Sequence, residues 1–387
     1  MPKRLLAFLC LALLLTSTPA YAALEAEPPI ALECESALLL EPDSGQVVFE
    51  KNADERVSVA SVTKVMPILL ACEAIEQGRA TLSDMVSISP RAAGMGGSQV
   101  LLEAGEQQSV SALLKSMIVA SANDATVALA EFLFGSEQAM VQRMNERARE
   151  LGMTGSNFVN ATGLPAANNV TTARDVAAMA RELVRHALFF DYSTIWMDVI
   201  EHPGARVTEL TNTNRLTRLY DGCDGIKTGS TSEAGYCMAA SASRGGMRLI
   251  AVVLGAETSK QRFAVAGAMM DYGFANYRKY AVAERGARVR GKLPIDGGDR
   301  QAIELMLGEN LTLLIAKGEE QDIELTPALP ERLAAPIAEG EQVGDVDVLL
   351  NGRLVGRVPV VAAEAAERRG YFDGWRMLSR RWLYSAA

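Results

Sequence analysis

The chain has 387 residues, 49% of them hydrophobic and 22% charged, which is a globular composition long enough for more than one core. A formal net charge of −9 excludes the basic footprint of a nucleic-acid binder. With 2 histidines in all, and neither in an H-E-x-x-H pattern, zinc-peptidase chemistry and a histidine-based triad are both disfavoured.

The N-terminus carries Lys3 and Arg4, then the apolar run 5–15, then the small-x-small site Ala20-Tyr21-Ala22. That order reads as a secretory signal peptide, residues 1–22, too short to span a bilayer as a mature helix. Cys10 has no small residue just before it, which speaks against a lipoprotein anchor. Cleavage removes two bases and no acid, so the mature chain is more acidic still. Cys34, Cys72, Cys223 and Cys237 then remain, far apart and without C-x-x-C spacing. No zinc site is indicated; export permits disulfides, but the sequence does not choose a pairing, and buried thiols are expected.

Two short apolar runs, 36–40 and 46–50, flank Pro42-Asp43-Ser44-Gly45 and read as a β-hairpin. A helical pattern runs over 58–77 and stops at Gly78, with Pro67 early enough in it to be tolerated. Helices are expected at 110–119 and 124–134, separated by Ala120-Ser121-Ala122-Asn123, and again at 172–187. His186 and His202 are expected as surface or capping residues. Three β-like runs follow at 225–231, 235–243 and 247–255, then a helix at 260–277. A helical cluster bracketed by early and late strands points to an α+β domain over 23–283.

From Glu284 to Ala362 the chain changes to short alternating runs, including 345–350 and 354–358 around Asn351-Gly352, the turn pair that most favours a hairpin. A small β-rich domain is expected there. In 363–387, Tyr371, Trp375, Leu378 and Trp382 recur at helical spacing, with Arg369, Arg376 and Arg380 on the other side. This reads as an amphipathic helix at a membrane surface, with a helix docked on the protein body as the alternative; Gly370 and Gly374 weaken it.

Three short motifs carry chemistry. Ser61-Val62-Thr63-Lys64 places a hydroxyl and an amine on one helical face, where a lysine of lowered pKa can act as the base for serine. Ser121-Ala122-Asn123 interrupts two helices, either as capping residues or as a loop presenting Ser121 for proton relay and Asn123 for a substrate amide. Lys227-Thr228-Gly229 lies in a strand, either as a lysine-protected edge or as a docking strand whose lysine and threonine meet an anionic end. S-x-x-K, S-x-N and K-T-G, in that order, form a known signature of β-lactamases and penicillin-binding proteins.

With these motifs, and with 121–125, 158–164, 212–216 and 224–229 as further text, the chain resembles the low-molecular-mass penicillin-binding proteins, the serine-type D-alanyl-D-alanine carboxypeptidases. The resemblance implies a penicillin-binding/β-lactamase-like sheet with a helical cluster, then the small all-β domain and the C-terminal amphipathic helix. It implies removal of the terminal D-alanine from peptidoglycan stem pentapeptides, acylation by β-lactams, and no cofactor or metal. Ser61 would be the nucleophile and Lys64 the base, with the N–H groups of Ser61 and Ser230 as oxyanion hole. Ser121 would assist. Asn123, Lys227, Thr228, Gly229 and Arg262 would bind substrate, on the outer face of the cytoplasmic membrane. A D,D-endopeptidase, a class A-like β-lactamase using Glu209, and a penicillin sensor that acylates and stops remain alternatives.

Overall fold

The computed structural model describes residues 30–370, which divide into two units, 30–282 with 312–321 and 283–311 with 322–370. The expected signal peptide and most of the expected terminal helix lie outside the described residues.

The first unit is built on one antiparallel sheet. Its early strands are β1 (Ser36–Glu41) and β2 (Gln46–Lys51), the expected hairpin. The helices α1 (Val65–Glu76), α2 (Val110–Val119), α3 (Asn123–Phe134), α4 (Glu137–Glu150), α5 (Ala173–Leu183) and α6 (Ala187–Ser193) follow. A hairpin of β3 (Met197–Glu201) and β4 (Val207–Thr211) precedes β5 (Cys223–Thr231), β6 (Gly235–Arg244), β7 (Met247–Ala256) and α7 (Ser259–Asn276). The sheet order is β2-β1-β7-β6-β5, so the first and last thirds of the unit meet where β1 pairs with β7.

Both faces of this sheet are covered, which is why its central strands read as continuous apolar runs. Leu38, Leu40, Ile250 and Val252 pack with the residues of α1 to α6. Ala37, Leu39, Ala251 and Val253 point the other way, onto Val265, Ala266, Met269 and Met270 of α7. Alternate residues of one strand thus serve two cores, as the two-residue side-chain period requires. Side-chain caps fix several helix starts: Ser109, Thr172 and Thr258 each accept a backbone N–H three residues on.

Four expectations need correction. The helix expected at 172–187 is two helices, because the chain turns between Val184 and His186 before α6. The boundary near 284 is crossed back: 312–321 belong to the first unit, where Leu314 joins the core under the sheet and Lys317 N–H donates to Asn276 O. No helix starts at Ala363; 363–370 run without helix, with bridges from Ala366 to Ile337 and Arg368 to Gly298. His202 holds the N-cap position of the 3₁₀ turn Pro203–Ala205 but is buried rather than exposed, its Nδ1 3.0 Å from Glu106 Oε1 and its Nε2 3.0 Å from Thr208 Oγ1. His186 does stand at a helix N-cap position, but its Nδ1 meets Glu76 Oε2 at 2.8 Å.

The second unit is the expected β-rich domain. Its largest sheet has six strands, with Gln342–Leu350 and Arg353–Ala362 as its longest hairpin. Asn351 and Gly352 turn that hairpin with φ of 51° and 74°, the left-handed pair a two-residue loop needs. Ile303, Leu305, Val360 and Ala362 lie in its core. Among the described residues no helix is long and apolar enough to cross a membrane.

Candidate active site

Ser61 opens the site from a tight 3₁₀ turn, Ala60–Lys64, which runs directly into α1. The turn requires φ of 48° at Ala60, a strained value for a residue with a Cβ. Lys64 ends the turn, and its Nζ is 3.1 Å from Ser61 Oγ. The pairing expected from the three-residue spacing therefore holds.

Lys64 is fully buried, and its amine makes two further bonds. It donates to Asn123 Oδ1 at 2.6 Å and to the carbonyl of Thr162 at 2.7 Å. Burial holds its pKa well below the ordinary lysine value, the charge of Lys227 pushes it further down, and Asp124 opposes them. A lysine so placed gives up its proton more readily than a free one, which favours the neutral form that a proton acceptor needs.

The break between α2 and α3 is a loop rather than a pair of caps. Ser121 has φ of 62°, and its Oγ is buried with no hydrogen-bond partner among the described residues. Asn123 gives its side chain to the site, accepting from Lys64 and donating through Nδ2 to Gly96 O at 2.6 Å. One N–H of that amide remains for another acceptor. Asp124 braces the neighbouring loop, its carboxylate accepting the N–H groups of Val100 and Leu102 at 3.0 and 3.1 Å.

The third wall is β5, which lies at the edge of the sheet. Lys227 is nonetheless buried, so it does not serve as an exposed edge guard. Its Nζ donates to Thr228 O at 3.0 Å, and burial followed by the charge of Arg262 lowers its pKa to about 7. Gly229 faces the serine turn: a Cβ there would lie 2.7 Å from Ser61 N and from Val59 O, and 2.8 Å from Val62 N. Glycine is thus needed to let β5 approach the backbone at Ser61. Ser230, the next residue, is exposed beside it.

Arg262 reaches this strand from α7. Its Nη1 donates to Gly229 O at 2.9 Å and Cys237 O at 3.3 Å, so the guanidinium braces the strand carrying Lys227. Burial lowers its pKa. Glu209 is exposed on β4 opposite Val199, among the residues of the β3–β4 hairpin. The four cysteines among the described residues are free thiols whose pKa burial raises. Glu73, Glu182 and His186 bring ligand-type atoms within 4.8 Å of one another, but Arg147 Nη2 already pairs with both carboxylates, at 2.8 and 3.2 Å.

The motifs did not single out Thr162, which acts through its carbonyl and so has no side-chain signature. The signal lay in the residue after it. Gly163 has φ of 78°, and a Cβ there would lie 1.9 Å from Ala60 O. Asn160 Oδ1 fixes that turn by accepting the Gly163 N–H at 2.7 Å. Thr213 was also missed; its Oγ1 is 2.8 Å from Thr228 Oγ1.

Residues 22–258 match the family model described as D-alanyl-D-alanine carboxypeptidase, and residues 277–368 match that of the penicillin-binding protein 5 C-terminal domain. The chain is 39% identical to the D-alanyl-D-alanine carboxypeptidase DacF of Bacillus subtilis, covering 95% of this chain and 96% of that one. It is 32% identical to DacC of Escherichia coli, covering 93% and 91%. Penicillin binding protein 5 from Haemophilus influenzae is a structural neighbour, with a TM-score of 0.79 at 29% identity over 89% of this chain and 100% of that one.

Proposed function

This chain belongs to the D-alanyl-D-alanine carboxypeptidase family and is a serine-type enzyme of that activity, and we propose from this how its residues divide the reaction. The observation that carries the proposal is the Lys64 amine, buried, driven toward neutrality, and 3.1 Å from Ser61 Oγ.

Lys64 takes the Ser61 hydroxyl proton as Oγ attacks the carbonyl between the two terminal D-alanines of a peptidoglycan stem pentapeptide. The oxyanion sits between the backbone N–H groups of Ser61 and Ser230, a pair of donors each worth on the order of 10²–10³ in rate. Asn123 orients Lys64, and its remaining N–H receives the substrate amide carbonyl. Ser121, whose buried Oγ has no other partner among the described residues, carries the proton from Lys64 to the leaving amine. Lys227 and Thr228 hold the terminal carboxylate. Arg262 braces the strand from behind and sets the charge around Lys227. Water then releases the acyl-enzyme.

A β-lactam presents the same carboxylate and acyl carbon, and acylates Ser61 by the same route. Export through the 1–22 signal peptide places the enzyme outside the cytoplasmic membrane, with the sequence after Gly370 as a peripheral anchor on it; this part rests on the sequence pattern alone.

The test is release of D-alanine from diacetyl-lysyl-D-alanyl-D-alanine by the mature protein, beside labelling with a fluorescent penicillin. Both are expected for the native chain, and neither for Ser61→Ala. Labelling that persists in Ser61→Ala refutes the nucleophile. Labelling without D-alanine release would instead favour a penicillin sensor.

A further inference from the structure

Thr213 lies outside the three motifs, yet its hydroxyl stands 2.8 Å from that of Thr228. Its place does not depend on that contact. Thr213 N–H donates to Val119 O, at the end of α2, at 3.2 Å. On one side, Asn212 Nδ2 donates to Ser193 O and Ile195 O at 2.9 and 2.8 Å. On the other, Asn214 Nδ2 donates to Gly225 O at 2.8 Å, and its Oδ1 accepts Leu216 N–H at 3.0 Å. Two buried asparagines therefore clamp the backbone on either side of a half-buried threonine. Its side chain is left to serve Thr228.

We propose that Thr213 is a positioning residue for carboxylate recognition, acting through the hydroxyl of Thr228. The inference rests on the reading that Thr228 meets the substrate carboxylate. Two hydroxyls in contact share one hydrogen bond and keep one proton spare. In the free site Thr228 donates to Thr213. A carboxylate accepts only, so its arrival requires the Thr228 proton to turn toward it. Thr213 can then donate to Thr228 Oγ1, and both hydroxyls rotate without any proton changing owner. Bonds in such a series strengthen one another, and the one that ends on the carboxylate is charge-assisted. Valine has nearly the shape of threonine but no hydroxyl, so it leaves Thr228 free to rotate and without a donor behind it.

The test compares two acyl donors on Thr213→Val, Thr213→Ser and the native enzyme. One is diacetyl-lysyl-D-alanyl-D-alanine; the other is the p-nitrophenyl ester of diacetyl-lysyl-D-alanine, whose leaving group has no carboxylate. Thr213→Val is expected to lower the peptide-to-ester ratio of kcat/KM by about three- to tenfold, the range for one neutral hydrogen bond. Thr213→Ser is expected to restore it. A merely structural role would slow both donors together, and an unchanged ratio in Thr213→Val overturns the proposal. Thr228→Val tells the two ideas apart. If that variant alone leaves the ratio unchanged, the carboxylate reading of Thr228 fails. If it lowers the ratio and Thr213→Val still lowers it further in the same chain, the coupling fails instead.

Discussion

Strand β5 approaches the serine turn closely at Gly229, and Gly229→Ala perturbs that approach by one methyl group. The substituted Cβ would lie 2.7 to 2.8 Å from Ser61 N, Val59 O and Val62 N. All three are backbone atoms, so no side-chain rotation can relieve the overlap. Gly229 has no positive φ, so alanine introduces no conformational strain and the effect is steric alone. Restoring ordinary contact, near 3.5 Å, demands that β5 and the turn separate by about 0.5–1 Å. Overpacking of this kind costs about 1–3 kcal/mol in stability. The cost to catalysis is larger in effect, since the same separation pulls the Ser230 N–H away from the Ser61 N–H. A displacement near 1 Å is worth about 10²-fold in rate, and a lost oxyanion donor on the order of 10²–10³. The expected result is a variant that folds, melts at a modestly lower temperature, and is labelled by fluorescent penicillin about a hundredfold more slowly. The assay is the second-order labelling rate, with circular dichroism for the fold. A folded Gly229→Ala within threefold of the native rate would refute the reasoning.

Two further outcomes follow from the charges and from the chain's end. With Lys227 lowered to about 7, the free enzyme loses that cation as pH rises through this value, so kcat/KM for the carboxylate-bearing peptide should fall above it. Lys64, lowered by burial and by Lys227, regains its proton as pH falls through that lowered pKa, and acylation should fall there for every substrate. A kcat/KM profile for the peptide that stays flat to pH 9 would contradict the assignment of Lys227. Ending the chain at Gly370 keeps Ala366, which is buried and bridged to Ile337, and should preserve D-alanine release while abolishing co-sedimentation with membrane vesicles. Unchanged sedimentation would sink the anchor.

Much of the fold was legible because local chemistry dictates it. The run 110–119 is a helix with the bounds its apolar pattern marks, and Ser109 caps it. Gly78 and Gly135 end helices with φ of 72° and 83°, which glycine adopts at little cost. Asn351-Gly352 turns a hairpin for the same reason. The misplaced features are those in which a distant partner decides. His202 is buried where the Glu106 carboxylate, nearly a hundred residues earlier, accepts from its ring, and no local pattern around it announces that. Residues 312–321 rejoin the first unit because its core accepts Leu314.

The site divides along the same line. The sequence by itself determined that a serine and a lysine share a helical face, that a polar break separates two helices, and that a lysine interrupts a strand, because spacing and residue type suffice for these. It named Ser61, Lys64, Ser121, Asn123 and Lys227 as candidates, but not what they touch. The tertiary structure decided that Lys64 is buried among Asn123 Oδ1 and the Thr162 carbonyl, 59 and 98 residues away. It decided too that Thr213 backs Thr228. Burial and the nearby charge of Lys227 are what lower the Lys64 pKa, and both are properties of the packed chain. A sequence can offer a base to a serine; exclusion of water around it is needed to make it one.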